Sequence, residues 1–311
     1  MDKIAVVFPG QASQYVGMGK DLYNADRDVR NLYDIASDEI GESIAEISFA
    51  GPADRLKETR FTQPAILLHS LAILTIMKDA FPRADIAAGH SLGEYGALAL
   101  AGVLSFEEAV KAVVRRANLM EEACRRTPGT MAAVIGLDEE KIAEICQIAS
   151  AIGLVVPANF NSANQLVISG SREGVAEACR LCKEMGAKRA MELQVGGAFH
   201  SPLMATAQKG MEEYLGAVDF SEPDVDIIPN VTAQPERNSS RLKELLVAQL
   251  TSPVKWYQTM MTIAGQEVDA LIEVGPGKVL TGLARREVKE ARIINIDTLQ
   301  DIEEFSAVGV E

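Results

Sequence analysis

The chain has 311 residues, 48% of them hydrophobic and 24% charged, with a formal net charge of −14. That length supports a large core and more than one domain, and the balance is that of a soluble globular protein, not a disordered one. An acidic surface excludes nucleic acid as the main partner, because binding to a phosphate backbone draws on counterion release by basic residues.

The first residues pass straight into an apolar strand, Ile4 to Phe8, with no basic region or cleavage site, so no secretion signal is expected. Pro9-Gly10-Gln11-Ala12-Ser13-Gln14 follows that strand, and loops at the carboxyl ends of strands in open α/β sheets line ligand crevices. Gln11 could present a donor there; a plain strand-to-helix turn is the competing reading. The segment Ala65 to Met77 is apolar, interrupted by His69 and too short to cross a bilayer, so it reads as a buried helix and no membrane partner is expected.

Next comes Gly89-His90-Ser91-Leu92-Gly93, between an apolar run ending in Ala87-Ala88 and the Ala/Leu-rich stretch Glu94 to Ala101. Strand, sharp turn and helix are the setting of a nucleophile elbow, in which the two glycines avoid collision with the adjoining strand and helix. Ser91 then sits at a helix N-terminus, where free N–H groups and the dipole favour an oxyanion. A lipase satisfies the same pattern. In the helical stretch Phe106 to Cys124, Arg115 and Arg116 read on composition alone as solvated, although one facing inward would offer a fork for a carboxylate.

After Thr127-Pro128-Gly129 the predicted order is strand 131–135, helix 139–150, strand 154–158, strand 165–169, helix 173–185 and strand 189–195, the βαββαβ order of ferredoxin-like units. Cys179 and Cys182 lie three apart on this second helix without another pair to complete a zinc site. Like Cys124 and Cys146 they read as packed thiols, and four cysteines in so long a chain point to a reducing cytoplasm. Gly196-Gly197 closes the segment, and strands 226–228, 270–274 and 292–296 resume the α/β pattern. The expected fold is therefore α/β: residues 1–127 and 198–311 form a large subdomain with a parallel sheet, and 128–197 a small inserted one. Gly275-Pro276-Gly277-Lys278 fails as a phosphate loop, since Ile272 and Val279 occupy the positions that need Gly and Ser or Thr. The acidic residues from Asp301 onward read as a solvated tail.

Three histidines are available as base for Ser91. His69 lies among Leu67, Leu68 and Leu71, which suits a core role. His90 adjoins the serine and points away from it. His200, in Gly197-Ala198-Phe199-His200-Ser201-Pro202, is the candidate, and since no acid presents itself as a third member the pair reads as a Ser-His dyad.

Taken in order, Pro9-Gly10-Gln11, Gly89 to Tyr95, Arg116-x-x-x-Met120, Asn159-Phe160-Asn161-Ser162, Ala198 to Met204 and Glu273 to Leu280 resemble the malonyl-CoA:acyl carrier protein transacylases, acyltransferases of fatty acid and polyketide synthesis. The resemblance spans nearly the whole chain. It implies an α/β-hydrolase-like large subdomain beside the ferredoxin-like one. It also implies Ser91 as acylated nucleophile, His200 as general base, Gln11 and the Leu92 N–H as oxyanion hole, Arg116 as partner of the malonyl carboxylate, and Gln249 as the residue whose carbonyl orients the histidine. Phe199 resembles the malonyl-selective version, and Asn161 falls with the substrate-binding set. Ala12 and Ala117 depart from glycines common in the family.

The implied reaction moves malonyl from malonyl-CoA through a malonyl-serine to the phosphopantetheine thiol of acyl carrier protein. No cofactor or metal is implied, and malonyl-CoA and the carrier are the partners. A serine hydrolase or thioesterase acting on acyl carrier protein is the alternative, as is a free-standing acyltransferase of a polyketide pathway. The carrier is acidic like this chain, so attraction needs a local cluster, with Lys183, Lys188, Arg189, Arg285 and Arg286 as candidates. With no coiled-coil pattern, a monomer is expected.

Overall fold

The computed structural model describes residues 3–308. β1 (Ile4–Phe8) opens the chain and is buried along its whole length. A group of helices follows: α1 (Lys20–Ala25), α2 (Arg27–Ile40), α3 (Ile44–Ala50), α4 (Ala53–Leu56) and α5 (Thr59–Met77). β2 (Ile86–Gly89), α6 (Gly93–Leu100) and α7 (Phe106–Arg126) complete the first stretch. Then come β3 (Thr130–Ile135), α8 (Glu139–Ala149), β4 (Val155–Ser162), β5 (Gln165–Gly170), α9 (Arg172–Glu184) and β6 (Arg189–Glu192). The last third holds α10 (Ala205–Gly216), β7 (Asp226–Ile228), α11 (Ser239–Ala248), α12 (Trp256–Gly265), β8 (Ala270–Val274), α13 (Val279–Glu287), β9 (Arg292–Ile296) and α14 (Leu299–Val308).

Two sheets organise these elements. The larger has the order β7-β2-β1-β8-β9, with every neighbouring pair parallel. Ile4, Val6 and Phe8 of β1 pack into one apolar cluster and Ala5 and Val7 into another, so the two-residue repeat of the strand feeds a core on each face. The smaller sheet, β4-β5-β3-β6, is antiparallel and packs α8 and α9 around Ile142, Ile145, Ile168 and Val175. The chain enters and leaves this part at adjacent points, since a Cβ on Gly129 would fall 2.6 Å from the Ala198 Cβ.

The differences from the sequence reading have local causes. The buried helix α5 starts at Thr59 and runs through Pro64, whereas proline normally marks a helix start; it is long and apolar enough to span a membrane, and 89% of its apolar 18-residue stretch is buried inside the protein. β4 continues to Ser162, staying paired with β5 past two register slips and bonding also to the large part: Phe160 N–H donates to Val254 O at 2.9 Å and Val254 N–H to Ala158 O at 2.8 Å. β6 ends at Glu192, three residues short of the expected strand. The expected acidic tail is instead α14. Thr298 and Asp301 cap it reciprocally, and Ile302 and Phe305 turn one face onto the core. Residues 309–311 of that expected tail lie outside the described residues.

Candidate active site

Ser91 stands between β2 and α6 with φ +51°, a left-handed conformation that costs a non-glycine residue on the order of 1–3 kcal/mol. The flanking glycines make the turn possible. A Cβ on Gly89 would lie 1.9 Å from the Gly93 carbonyl carbon, and one on Gly93 would lie 2.1 Å from Phe8 O. The turn is pinned from β7's end by Asn230, whose Oδ1 accepts the Ser91 N–H at 2.6 Å while its Nδ2 donates to Gly89 O at 2.6 Å. With the Ser91 N–H so committed, the next along the elbow, that of Leu92, has no protein acceptor among the described residues.

His200 reaches the serine from the loop after the small sheet: its Nε2 is 2.8 Å from Ser91 Oγ. It too holds a positive φ, +55°. Its Nδ1 lies 2.9 Å from the main-chain oxygen of Gln249, a geometry that places the proton on Nδ1 and leaves Nε2 as acceptor. Burial, reinforced by the Arg116 charge, pushes the imidazole pKa down to about 3, so the ring is neutral at pH 7. The other histidines are engaged elsewhere. His90 Nε2 is 2.9 Å from Asn161 Oδ1, with its ring 5.5 Å from that of Trp256 and burial lowering its pKa. His69 is fully buried and pairs with Asp297 at 3.0 Å, bracing the end of β9 against α5.

Arg116 overturns the compositional expectation of a solvated side chain. It is 0% exposed, on the inner face of the amphipathic α7. Its Nη1 donates to Gln63 Oε1 at 2.7 Å, and its Nη2 to Ser91 Oγ and Gln249 Oε1, both at 3.0 Å. Its Nε has no partner, and no carboxylate lies within salt-bridge distance among the described residues. Burial lowers its pKa from an ordinary value so high that the guanidinium stays charged. A cation is thus buried beside a nucleophile with neutral amides as its direct side-chain neighbours and the Glu94 carboxyl behind them.

A cleft of about 520 Å³ runs between the two sheets over these groups. Gln11, Ser91, Leu92, Arg116, Phe199 and His200 line it from the parallel-sheet side, and Met131, Asn161, Val167 and Leu193 from the other. Gln11 therefore lies in the crevice and not in a remote turn. The loop bends at Ala12, φ +84°, a conformation that glycine would adopt without strain. Of the five candidate surface cations, Arg286 is at the cleft; Lys183, Lys188, Arg189 and Arg285 are exposed away from it. The Cys thiols are free, and burial pushes those of Cys124 and Cys182 to about 11 and that of Cys146 to about 12, which keeps them inert.

Three members of the site were missed in the sequence: Gln63, Glu94 and Asn230. Glu94 left the clearest signal, as the lone charge in the otherwise apolar helix GEYGALAL.

The acyl transferase domain family matches residues 5–310. A Bacillus subtilis protein named malonyl CoA-acyl carrier protein transacylase is 41% identical over 304 residues, 97% of this chain and 96% of its own length. Among solved structures, an acyl carrier protein S-malonyltransferase from Vibrio cholerae superposes with a TM-score of 0.91 at 40% identity, covering 97% of this chain and 99% of that one. A type II PKS acyl-carrier protein in complex with its malonyl-transacylase contributes a second match, with a TM-score of 0.91, 38% identity and coverage of 97% and 98%. Fold, elbow and near-complete coverage agree: this chain belongs to the acyl transferase family.

Proposed function

We propose that this enzyme transfers malonyl from malonyl-CoA to the phosphopantetheine thiol of acyl carrier protein through a malonyl ester on Ser91. The observation that carries this reading is Arg116, a fully buried guanidinium 3.0 Å from the nucleophile with no carboxylate in salt-bridge contact among the described residues, Glu94 acting on it only from beyond Gln249. Leaving a buried charge unpaired costs several kcal/mol, which a substrate carboxylate removes. A hydrolase of uncharged acyl groups gains nothing from it. The relatives named above act in the same sense.

Acylation begins when His200 Nε2 takes the Ser91 hydroxyl proton as Oγ attacks the thioester carbonyl. The Leu92 N–H and a Gln11 donor receive the oxyanion at the α6 N-terminus. Collapse breaks the C–S bond, and His200 returns its proton to the CoA thiolate. In the second half the carrier thiol gives its proton to His200, its sulfur attacks the malonyl ester, and Ser91 leaves with that proton. Gln249 O keeps the imidazole in one tautomer throughout, so no acid is needed as a third member. The reaction needs no cofactor, because the thioester is already activated and no electrons are transferred.

Asn161 and Phe199 border the acyl group, and Arg286 at the mouth faces the incoming acidic carrier. We assign residues 1–127 and 198–311 to the catalytic subdomain and 128–197 to the inserted one, and place the enzyme as a monomer in the cytoplasm. Measuring kcat/KM for malonyl-CoA and acetyl-CoA in Arg116→Ala tests the reading. Malonyl transfer should fall about 100-fold or more and the preference move toward acetyl; an unchanged preference would overturn it.

A further inference from the structure

One buried acid has no part in that chemistry. Glu94 in the first turn of α6 is 1% exposed, and burial raises its pKa to about 7. Its Oε2 accepts the Asn230 N–H at 3.0 Å and the Gln249 Nε2 at 2.8 Å. The same Gln249 nitrogen donates to Ser91 O at 3.0 Å. With two acceptors on one side, the Gln249 amide has a single workable orientation, nitrogen toward Glu94 and oxygen toward Arg116 Nη2. Turned over, it would set N–H donors against the guanidinium and its oxygen against the carboxylate.

Arg116 has two other side-chain partners, Gln63 Oε1 at Nη1 and the Ser91 hydroxyl at Nη2; once Ser91 is acylated and Gln249 is released, the fork pivots about Gln63. The His200 contact is independent of the amide, since it uses the main-chain oxygen of Gln249, whose N–H is itself held by Leu245 O at 2.9 Å.

We propose that Glu94 is a positioning residue for acyl selectivity: by locking the Gln249 amide it aims the Arg116 guanidinium at the carboxylate end of the acyl group. The inference rests on the function proposed above, which makes a free carboxylate the ligand of Arg116. It predicts an effect on selectivity larger than any effect on the nucleophile, which Glu94 reaches only through Asn230 and Gln249.

The test measures kcat/KM for malonyl-CoA and acetyl-CoA with the full chain carrying Glu94→Asp or Glu94→Gln, alongside intact mass of the acyl-enzyme. Aspartate keeps the charge but withdraws the acceptor by one methylene, and should lower the malonyl-to-acetyl ratio about tenfold, through the malonyl term. Glutamine keeps the reach without the charge, and should hold the ratio within about threefold. An unchanged ratio in Glu94→Asp, an equal fall for both donors, or a Glu94→Gln loss as large as that of aspartate would overturn the proposal. Where thermal melts show Glu94→Asp unfolded, Gln249→Met removes the locked amide together with its contact to Ser91 O, so the rate falls for both donors and the ratio alone is read: an unchanged ratio overturns the proposal. Wild-type protein that takes no malonyl group contradicts the functional reading itself. A malonyl-selective wild type with an equally selective Glu94→Asp overturns the role of Glu94 alone.

Discussion

The two walls of the cleft are built on opposite principles. On the parallel-sheet side Ser91 and His200 sit at strained backbone positions among Arg116, Gln249, Glu94 and Asn230, four polar side chains at most 1% exposed and joined by hydrogen bonds. Across the cleft the small sheet presents Met131, Ala133 and Val167 with Asn159, Asn161 and Gln165, and the segment after it adds Leu193 and Val195, over an antiparallel ladder with an apolar core and, among the described residues, none of the buried charges of the first wall. The contrast separates two tasks. One wall holds reacting and charged groups rigid in a place where each unpaired polar atom is expensive, and the other shapes the space and excludes water. Damage to the first should therefore be large and specific, and damage to the second small and graded.

The largest effect is expected at the nucleophile. Ser91→Ala should remove the acyl-enzyme and lower turnover by about four orders of magnitude or more, read by steady-state transfer assays. Asn230→Ala comes next: it leaves the Ser91 N–H and Gly89 O without their partner, about 1–3 kcal/mol for each buried group. A melting point lower by several degrees and turnover lower by about tenfold to a hundredfold are the expected results. On the opposite wall Leu193→Ala should raise KM only severalfold and leave kcat nearly unchanged, since one side chain at a partly open site contributes about 1 kcal/mol. An effect at Leu193 as large as that at Asn230 would dissolve the distinction between the walls.

Acidity sharpens the same contrast. The native state holds His200 neutral down to about pH 3, whereas the unfolded chain takes up that proton near the ordinary histidine pKa, about 6.5. The stability this contributes is complete above pH 6.5 and is lost as the pH falls from there toward 3. Melting points of wild type and His200→Gln should therefore converge on acidification, and kcat/KM for malonyl-CoA should stay level between pH 8 and 6. A fall in kcat/KM centred near pH 6.5 would contradict the buried, neutral base.

Much of this was legible in the residues, for reasons that also explain what was not. The elbow shows because Gly89 and Gly93 stand where backbone meets backbone, and such positions admit one residue type. Strands 4–8, 226–228, 270–274 and 292–296 show as short apolar runs between turn residues, and each matches the structure. The network under Ser91 does not show. Glu94 reads locally as an acid favouring a helix N-terminus, and Gln63 precedes a proline that suggests a boundary, yet each acts through residues 53 to 155 positions away. Arg116 was placed by resemblance and not by composition, because only tertiary packing turns that face of α7 inward. The α14 cap, Thr298 with Asp301, was readable and was outweighed by acidic composition.

The central claim is that Ser91 carries malonyl between two thiols, and intact mass spectrometry addresses it directly. Protein mixed with malonyl-CoA should gain one malonyl group, absent in Ser91→Ala, and lose it on addition of phosphopantetheinylated acyl carrier protein, which gains the same mass. An adduct that forms equally well from acetyl-CoA, or one that is discharged by water as fast as by the carrier, would contradict the account.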